Sequence, residues 1–220
     1  MNILTIAYTG EGTTDQRFLG NIILRTFEDV LIEANSFIDI YDPIFIKKIG
    51  DSNIDKMMDA ARKAEGFHVL CIHVDADFET DKKAFEERIN PAFDFIKASD
   101  EQICKNLVAI IPIQMTEAWM LADVETLLDE IGTDKSVEDL DLPIRISQIE
   151  KISHPKDTIS NAIRIAFQDY PKRRKTLHIA DLYTPLSQKI RMENLKQLSS
   201  YQKFREAVKT SLIKLSYLVN

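Results

Sequence analysis

Phe67-His68-Val69-Leu70-Cys71-Ile72-His73-Val74-Asp75-Ala76-Asp77 is the stretch on which the fold turns. Apolar, β-branched and aromatic side chains follow Gly66 and precede a charged segment, the pattern of a central strand in a parallel sheet. The run ends abruptly in two carboxylates. Residues i and i+2 of an extended chain project to the same face, so Asp75 and Asp77 are expected to converge at the strand's carboxyl end. Converging carboxylates repel each other unless a cation sits between them, and hard oxygen donors suit Mg²⁺ or Mn²⁺. The alternative is architectural, with Asp75 closing an Asx-turn and Asp77 capping the next helix.

Upstream, residues 2–8 read as the first strand, followed by the loop Thr9-Gly10-Glu11-Gly12-Thr13-Thr14-Asp15. Thr13, Thr14 and Asp15 offer caps to a helix running to about Ala34, with Phe18, Leu19, Ile22, Ile23, Phe27, Val30 and Leu31 at spacings of three and four. Phe37–Ile46 reads as a second strand, placed at a sheet edge by Pro43. Ser52 caps a helix with Met57, Met58 and Ala61 on one face.

Downstream, a charged helix spans about Glu79 to Lys97, interrupted at Pro91. Leu107–Ile113 is a fourth strand, and Thr116-Glu117-Ala118-Trp119 opens another helix. This alternation predicts an α/β fold: a mostly parallel sheet with helices on both faces and a ligand site beyond the strands' carboxyl ends. Glu11, Asp75, Asp77 and Glu117 all follow expected strand ends, which would set four carboxylates on one rim. After Gly132 only helical periods remain, at 157–167, 192–198 and 201–218. Residues 1–132 are therefore read as an α/β core and 133–220 as a helical C-terminal extension packed on it.

Composition narrows the class. Hydrophobic content of 45% with 29% charged residues is that of a soluble globular chain. No apolar run approaches the ~18 residues of a membrane span, and the N-terminus reads as a strand rather than a leader. Cys71 and Cys104 read as reduced core thiols of a cytoplasmic protein. A formal net charge of −7 repels polyanions, so nucleic-acid contact would rest on local basic clusters and bound metal. Pro171-Lys172-Arg173-Arg174-Lys175 is the densest basic run. It reads either as a solvated loop or, with Lys156 and His154, as a hold on a nucleic-acid backbone.

Other chemistries lack their motifs. Gly10-Glu11-Gly12 has no Walker Lys-Ser/Thr, and an acid between glycines repels phosphate directly. Glu11 therefore suits a metal intermediary or general acid/base work, or else is a surface turn residue. No zinc-ligand spacing and no G-x-S-x-G elbow occurs. His73 reads as a packed, hydrogen-bonded core histidine. Glu117 is equally explained by the helix dipole, and Trp119 as a packing anchor.

The assembled residues resemble the Toprim domain, the metal-dependent core of topoisomerases, primases and OLD-family nucleases. Glu11 after the first strand and Asp75-Ala76-Asp77 after a central strand match its two motifs in order and placement. More closely, the chain is similar to an uncharacterised prokaryotic Toprim-like family often encoded beside an AAA/ABC-type ATPase in phage-defence loci. Matching residues are Glu11-Gly12-Thr13-Thr14-Asp15, Val74-Asp75-Ala76-Asp77, Thr116–Asp123, His154-Pro155-Lys156 and Leu198–Phe204, with Tyr201 where that family more often carries Phe. The resemblance spans nearly the whole chain. It implies a Toprim-like, Rossmann-like fold and a nuclease that cleaves phosphodiesters of DNA or RNA, tRNA included, using Mg²⁺ or Mn²⁺. Asp75 and Asp77 would hold the metal, Glu11 would be a further ligand or general acid/base, and Glu117 would hold a second metal or orient water. The implied partner is the ATPase of the neighbouring gene. The rival expectation is a non-catalytic subunit that regulates or scaffolds such an ATPase.

Overall fold

The computed structural model describes residues 3–34, 36–170 and 177–218. The first strand is split at Thr5 into β1 (Ile3–Leu4) and β2 (Ile6–Thr9), followed by α1 (Thr13–Glu33). All seven apolar positions expected along α1 are buried, as a period near 3.6 requires. The second strand is likewise split, into β3 (Asp39–Ile40) and β4 (Ile44–Phe45), with Pro43 between them. Proline has no N–H to give a ladder, which accounts for the gap. In α2 (Asn53–Lys63), Ser52 Oγ accepts from Asp55 N at 3.1 Å and Asp55 Oδ2 accepts from Ser52 N at 3.1 Å, a reciprocal capping box.

The central strand β5 (Val69–His73) is buried throughout, and it stops four residues short of Asp77. Next come α3 (Lys82–Ala84), a π-helical turn at Phe85–Ile89 and α4 (Asn90–Ala98). A helix from about residue 79 interrupted at Pro91 was expected; the break falls one turn earlier, as a π-helical turn. Pro91, in the first turn of α4, cannot donate to the carbonyl of Glu87, and the preceding turn widens instead. The fourth strand β6 (Leu107–Ile110) is shorter than the expected run to Ile113.

β4, β2, β5 and β6 form one parallel sheet in that order, and β1 pairs with β3 in a second parallel ladder. The first strand in sequence lies inside the sheet: the chain moves outward to β4, then returns past β2 to β5. Crevices that bind ligands open where the winding direction reverses in this way. Side chains alternate between two cores. Ile6, Tyr8, Val69, Cys71, Val108 and Ile110 meet α1, while Ala7, Leu70 and Ile72 meet α2 and α4 on the other face.

The remainder is helical: α5 (Glu117–Met120), α6 (Val124–Ile131), a 3₁₀ turn at Ile146–Lys151, α7 (Pro155–Ala166), α8 (Ile179–Lys189), α9 (Met192–Leu195) and α10 (Ser199–Lys214). Helix α8 was not legible in sequence, because Pro185 interrupts its pattern. Helices α7, α8 and α10 share the buried cluster of α1 and the sheet. Trp119 fixes this junction: fully buried, its ring lies 5.3 Å from Tyr201 and 6.0 Å from Phe204, and its Nε1 donates to Ser200 Oγ at 2.8 Å. Among the described residues, no helix is long and apolar enough to cross a membrane.

Candidate functional site

The loop between β2 and α1 is built around Asp15. Its Oδ2 accepts from Glu11 N at 2.9 Å and Gly12 N at 2.7 Å, satisfying donors at the entrance to the helix. The carboxylate packs so closely that a Cβ at position 10 would lie 2.8 Å from Asp15 Cβ, so Gly10 is required by close approach. This clamp fixes the backbone of Glu11 at the carboxyl end of β2.

Beside it, past the end of β5, the chain stays paired with the loop after β6: Val74 N donates to Ile110 O, Ala76 N to Pro112 O at 3.1 Å, and Asp77 N to Gln114 O at 2.9 Å. Asp77 and Gln114 are both left-handed, with φ of 58° and 63°. Two such non-glycine residues bonded to each other store strain, as functional sites often do. The expected i, i+2 convergence needs extended backbone through Asp77, and this turn removes it.

An arginine joins the parts instead. Arg88, in the π-helical turn, places Nη1 3.5 Å from Glu11 Oε1 and 3.5 Å from Asp77 Oδ2, while Nη2 donates to the carbonyl of Asp75. The two carboxylate oxygens therefore lie within twice 3.5 Å of each other, astride one cation. Asn53 Nδ2 donates to the Arg88 carbonyl at 2.9 Å and ties α2 to the same turn.

The Asp75 carboxylate faces inward. Its Oδ1 accepts from Thr116 N at 2.9 Å and stands 3.2 Å from His73 Nε2. Thr116 Oγ1 is 3.1 Å from His73 Nε2 and 3.3 Å from Asp15 Oδ1, which closes a buried network behind the rim. His73 is fully buried. Burial pushes its pKa down, but the hydrogen bond to Asp75 and the charges of Asp75, Asp15 and Glu11 outweigh it, and the net shift is upward. Its Nδ1 makes no hydrogen bond; Asp15 Oδ2, at 3.6 Å, supplies charge from just beyond bonding range. Glu11 is also shifted upward: burial is the largest cause, Asp75 adds to it, and His73, Lys48 and Arg88 oppose it. With its side chain 43% exposed, solvent moderates the effect.

Glu117 directly follows Thr116 of this network. It is buried on α5, and its Oε1 accepts from Tyr183 OH of α8, whose pKa rises through burial and through that bond. Lys156 is exposed in the first turn of α7. The preceding His154 lines an open groove of about 800 Å³ with Asp77, Phe78, Lys82, Lys83 and Gln114. Lys172, Arg173, Arg174 and Lys175 lie outside the described residues.

Sequence reasoning missed Arg88, Thr116 and the clamping role of Asp15. His73 is the packed, hydrogen-bonded core histidine expected, and its bond to Asp75 follows from their sharing one strand face. Arg88 left no signal: eleven positions and a change of helical pitch from α to π separate it from Asp77.

Glu11 and Asp77 supply oxygen donors of the kind that hold Mg²⁺ or Mn²⁺, with the Asp75 carboxylate behind them. Among the described residues, no three carboxylate, imidazole or thiol groups stand in a ready-made ligand arrangement. A cation does fit at this position, since the guanidinium of Arg88 already sits there. A metal ion would take its place only if that side chain swung away, and Arg88 is long and 27% exposed.

Among families of known proteins, the chain matches a domain of unknown function (DUF4276) over residues 10–209. No curated protein and no solved structure matches it.

Proposed function

The chain belongs to the DUF4276 family, and from that premise we propose that it is a Mg²⁺- or Mn²⁺-dependent nuclease of Toprim-like architecture, the effector partner of an ATPase in anti-phage defence. One observation carries the reading: Glu11 and Asp77, from loops 66 residues apart, meet around a single cation at the reversal point of a parallel sheet, with Asp75 alongside. Carboxylates are not gathered in this way for packing, because each exposed ion pair contributes only ~0–1 kcal/mol.

In this reading Asp75 and Asp77 hold the metal, with Glu11 as a further ligand or a general acid/base, and the ion supplies charge neutralisation at the scissile phosphate. In the acid/base alternative, burial, which raises its pKa, suits the Glu11 carboxylate to carry a proton. Thr116 and His73 keep the Asp75 carboxylate fixed. Glu117, held by Tyr183, acts from beneath, positioning the helix that carries Thr116 rather than touching substrate. The ATPase partnership, the cytoplasmic setting and the choice between DNA and tRNA rest on the resemblance described above.

The test is cleavage of labelled DNA and tRNA with Mg²⁺ or Mn²⁺, with and without the neighbouring ATPase. Metal-dependent cutting that Glu11→Gln abolishes is the expected result. Intact substrate under every condition contradicts the proposal.

The position of Arg88 favours a second reading, a non-catalytic regulatory subunit in which the arginine permanently replaces the metal. In that case Arg88→Gln would destabilise the protein, and no variant would take up metal.

A further inference from the structure

On the far side of Glu11 from the Asp77 groove lies a second cleft, of about 580 Å³, between the β2–α1 loop and the segment joining β4 to α2. Gly10, Glu11 and Gln16 line one wall, and Lys47, Lys48 and Lys56 the other. In a chain of net charge −7, three lysines in one cleft stand against the average field. Among the described residues none of the three lysine side chains forms an ion pair; Lys47 is engaged only through its backbone carbonyl, which accepts from Lys63. Lys48 is half-buried: burial lowers its pKa, Glu11 and Asp15 oppose that from within the cleft's own wall, and Lys56 and Arg88 add to it. A partly desolvated cation without an ion-pair partner is costly unless a further anion joins it.

We propose that this cleft binds the phosphodiester backbone of a nucleic-acid strand through Lys47, Lys48 and Lys56 and delivers that strand across Glu11 toward Asp77. The proposal deepens the nuclease reading and rests on it for the class of polymer. Three features favour a polymer over an isolated phosphate. The cleft, at about 580 Å³, is larger than one small anion fills. Its three charges come from two separate stretches of chain, positions 47–48 and helix α2. It also shares Glu11 with the rim, and Arg88 ties Glu11 to Asp77 and the groove beyond. That second groove carries the half-exposed Phe78, with Lys83 Nζ 4.6 Å above its ring, a surface on which an unpaired base can stack. Cleft, rim and groove thus form one continuous track.

The experiment is fluorescence anisotropy of a labelled single-stranded oligonucleotide with the full chain, in EDTA to prevent cleavage, across a salt series. Each phosphate contact contributes about 0.7 to the log–log salt slope on single strands, so Lys47→Gln/Lys48→Gln/Lys56→Gln should flatten the slope by about 2. Affinity at ~0.1 M salt should fall roughly 100-fold. The corresponding triple Arg variant should retain wild-type slope and affinity, and all three proteins should melt alike. An unchanged slope in the Gln variant, or no binding by the wild type, overturns the proposal. Displacement of the oligonucleotide by millimolar inorganic phosphate overturns the backbone assignment in favour of a single-phosphate site. Failure of the two ideas is separable: lysine-dependent binding without Mg²⁺-dependent cleavage removes the nuclease reading, while cleavage with an unchanged salt slope removes the cleft.

Discussion

Asp77 holds a backbone conformation that costs most non-glycine residues about 1–2 kcal/mol and that Asp and Asn tolerate best. If the position served architecture alone, glycine would do as well. Asp77→Gly should therefore melt at or slightly above the wild-type temperature while losing metal-dependent activity, and Asp77→Ala should lose activity together with about 1 kcal/mol of stability. A glycine variant that keeps its activity would make this carboxylate dispensable. At this scale the sequence was partly readable. The acidic strand ends announced themselves, and the i, i+2 rule that joins His73 to Asp75 holds within extended backbone. The same rule failed for Asp77, because a left-handed turn four residues past a strand has no signature when the residue is Asp rather than Gly. Arg88 was invisible for a different reason: its reach depends on where a helix of changing pitch aims a long side chain.

Helix α6 and the segment just beyond α8 are joined at the element scale by an ion pair buried at its Asp123 end. Asp123, fully buried, caps α6 through Thr126 and accepts from the backbone and guanidinium of Arg191, just beyond α8. Burial pushes its pKa upward, but the Arg191 and Thr126 hydrogen bonds outweigh this and lower it from 3.8 to about 2. A depressed carboxylate contributes stability that is present above its unfolded pKa and lost as pH falls through the folded value. This contribution should thus fade between about pH 4 and pH 2. Asp123→Ala should cost about 2–3 kcal/mol at neutral pH, Arg191 being half exposed, and should flatten the acid limb of a pH–stability curve. An acid limb as steep in the variant as in the wild type would contradict this. Strands and α1 were legible because their apolar periods are clean. The π-helical turn and α8 were not, since Pro91 and Pro185 perturb hydrogen bonding without changing the pattern of apolar residues.

For the whole molecule, one sheet order determines what can meet. Because β2 and β5 are neighbours, the loops after them share a rim, and Glu11 and Asp75 come together although 64 positions separate them. The alternation of strands and helices was enough to place that rim, and the sequence did not reveal that a resident guanidinium would occupy its centre. The central claim is that these carboxylates form a cation site that a divalent metal can enter. Titration calorimetry of Mn²⁺ and Mg²⁺ into the wild type, Asp77→Asn and Arg88→Ala tests it without a substrate. Displacing Arg88 takes free energy, so Arg88→Ala should bind metal more tightly than the wild type, and Asp77→Asn, short of one charge, should bind at least tenfold more weakly. Absence of binding heat at millimolar metal in all three proteins, Arg88→Ala included, would contradict the claim.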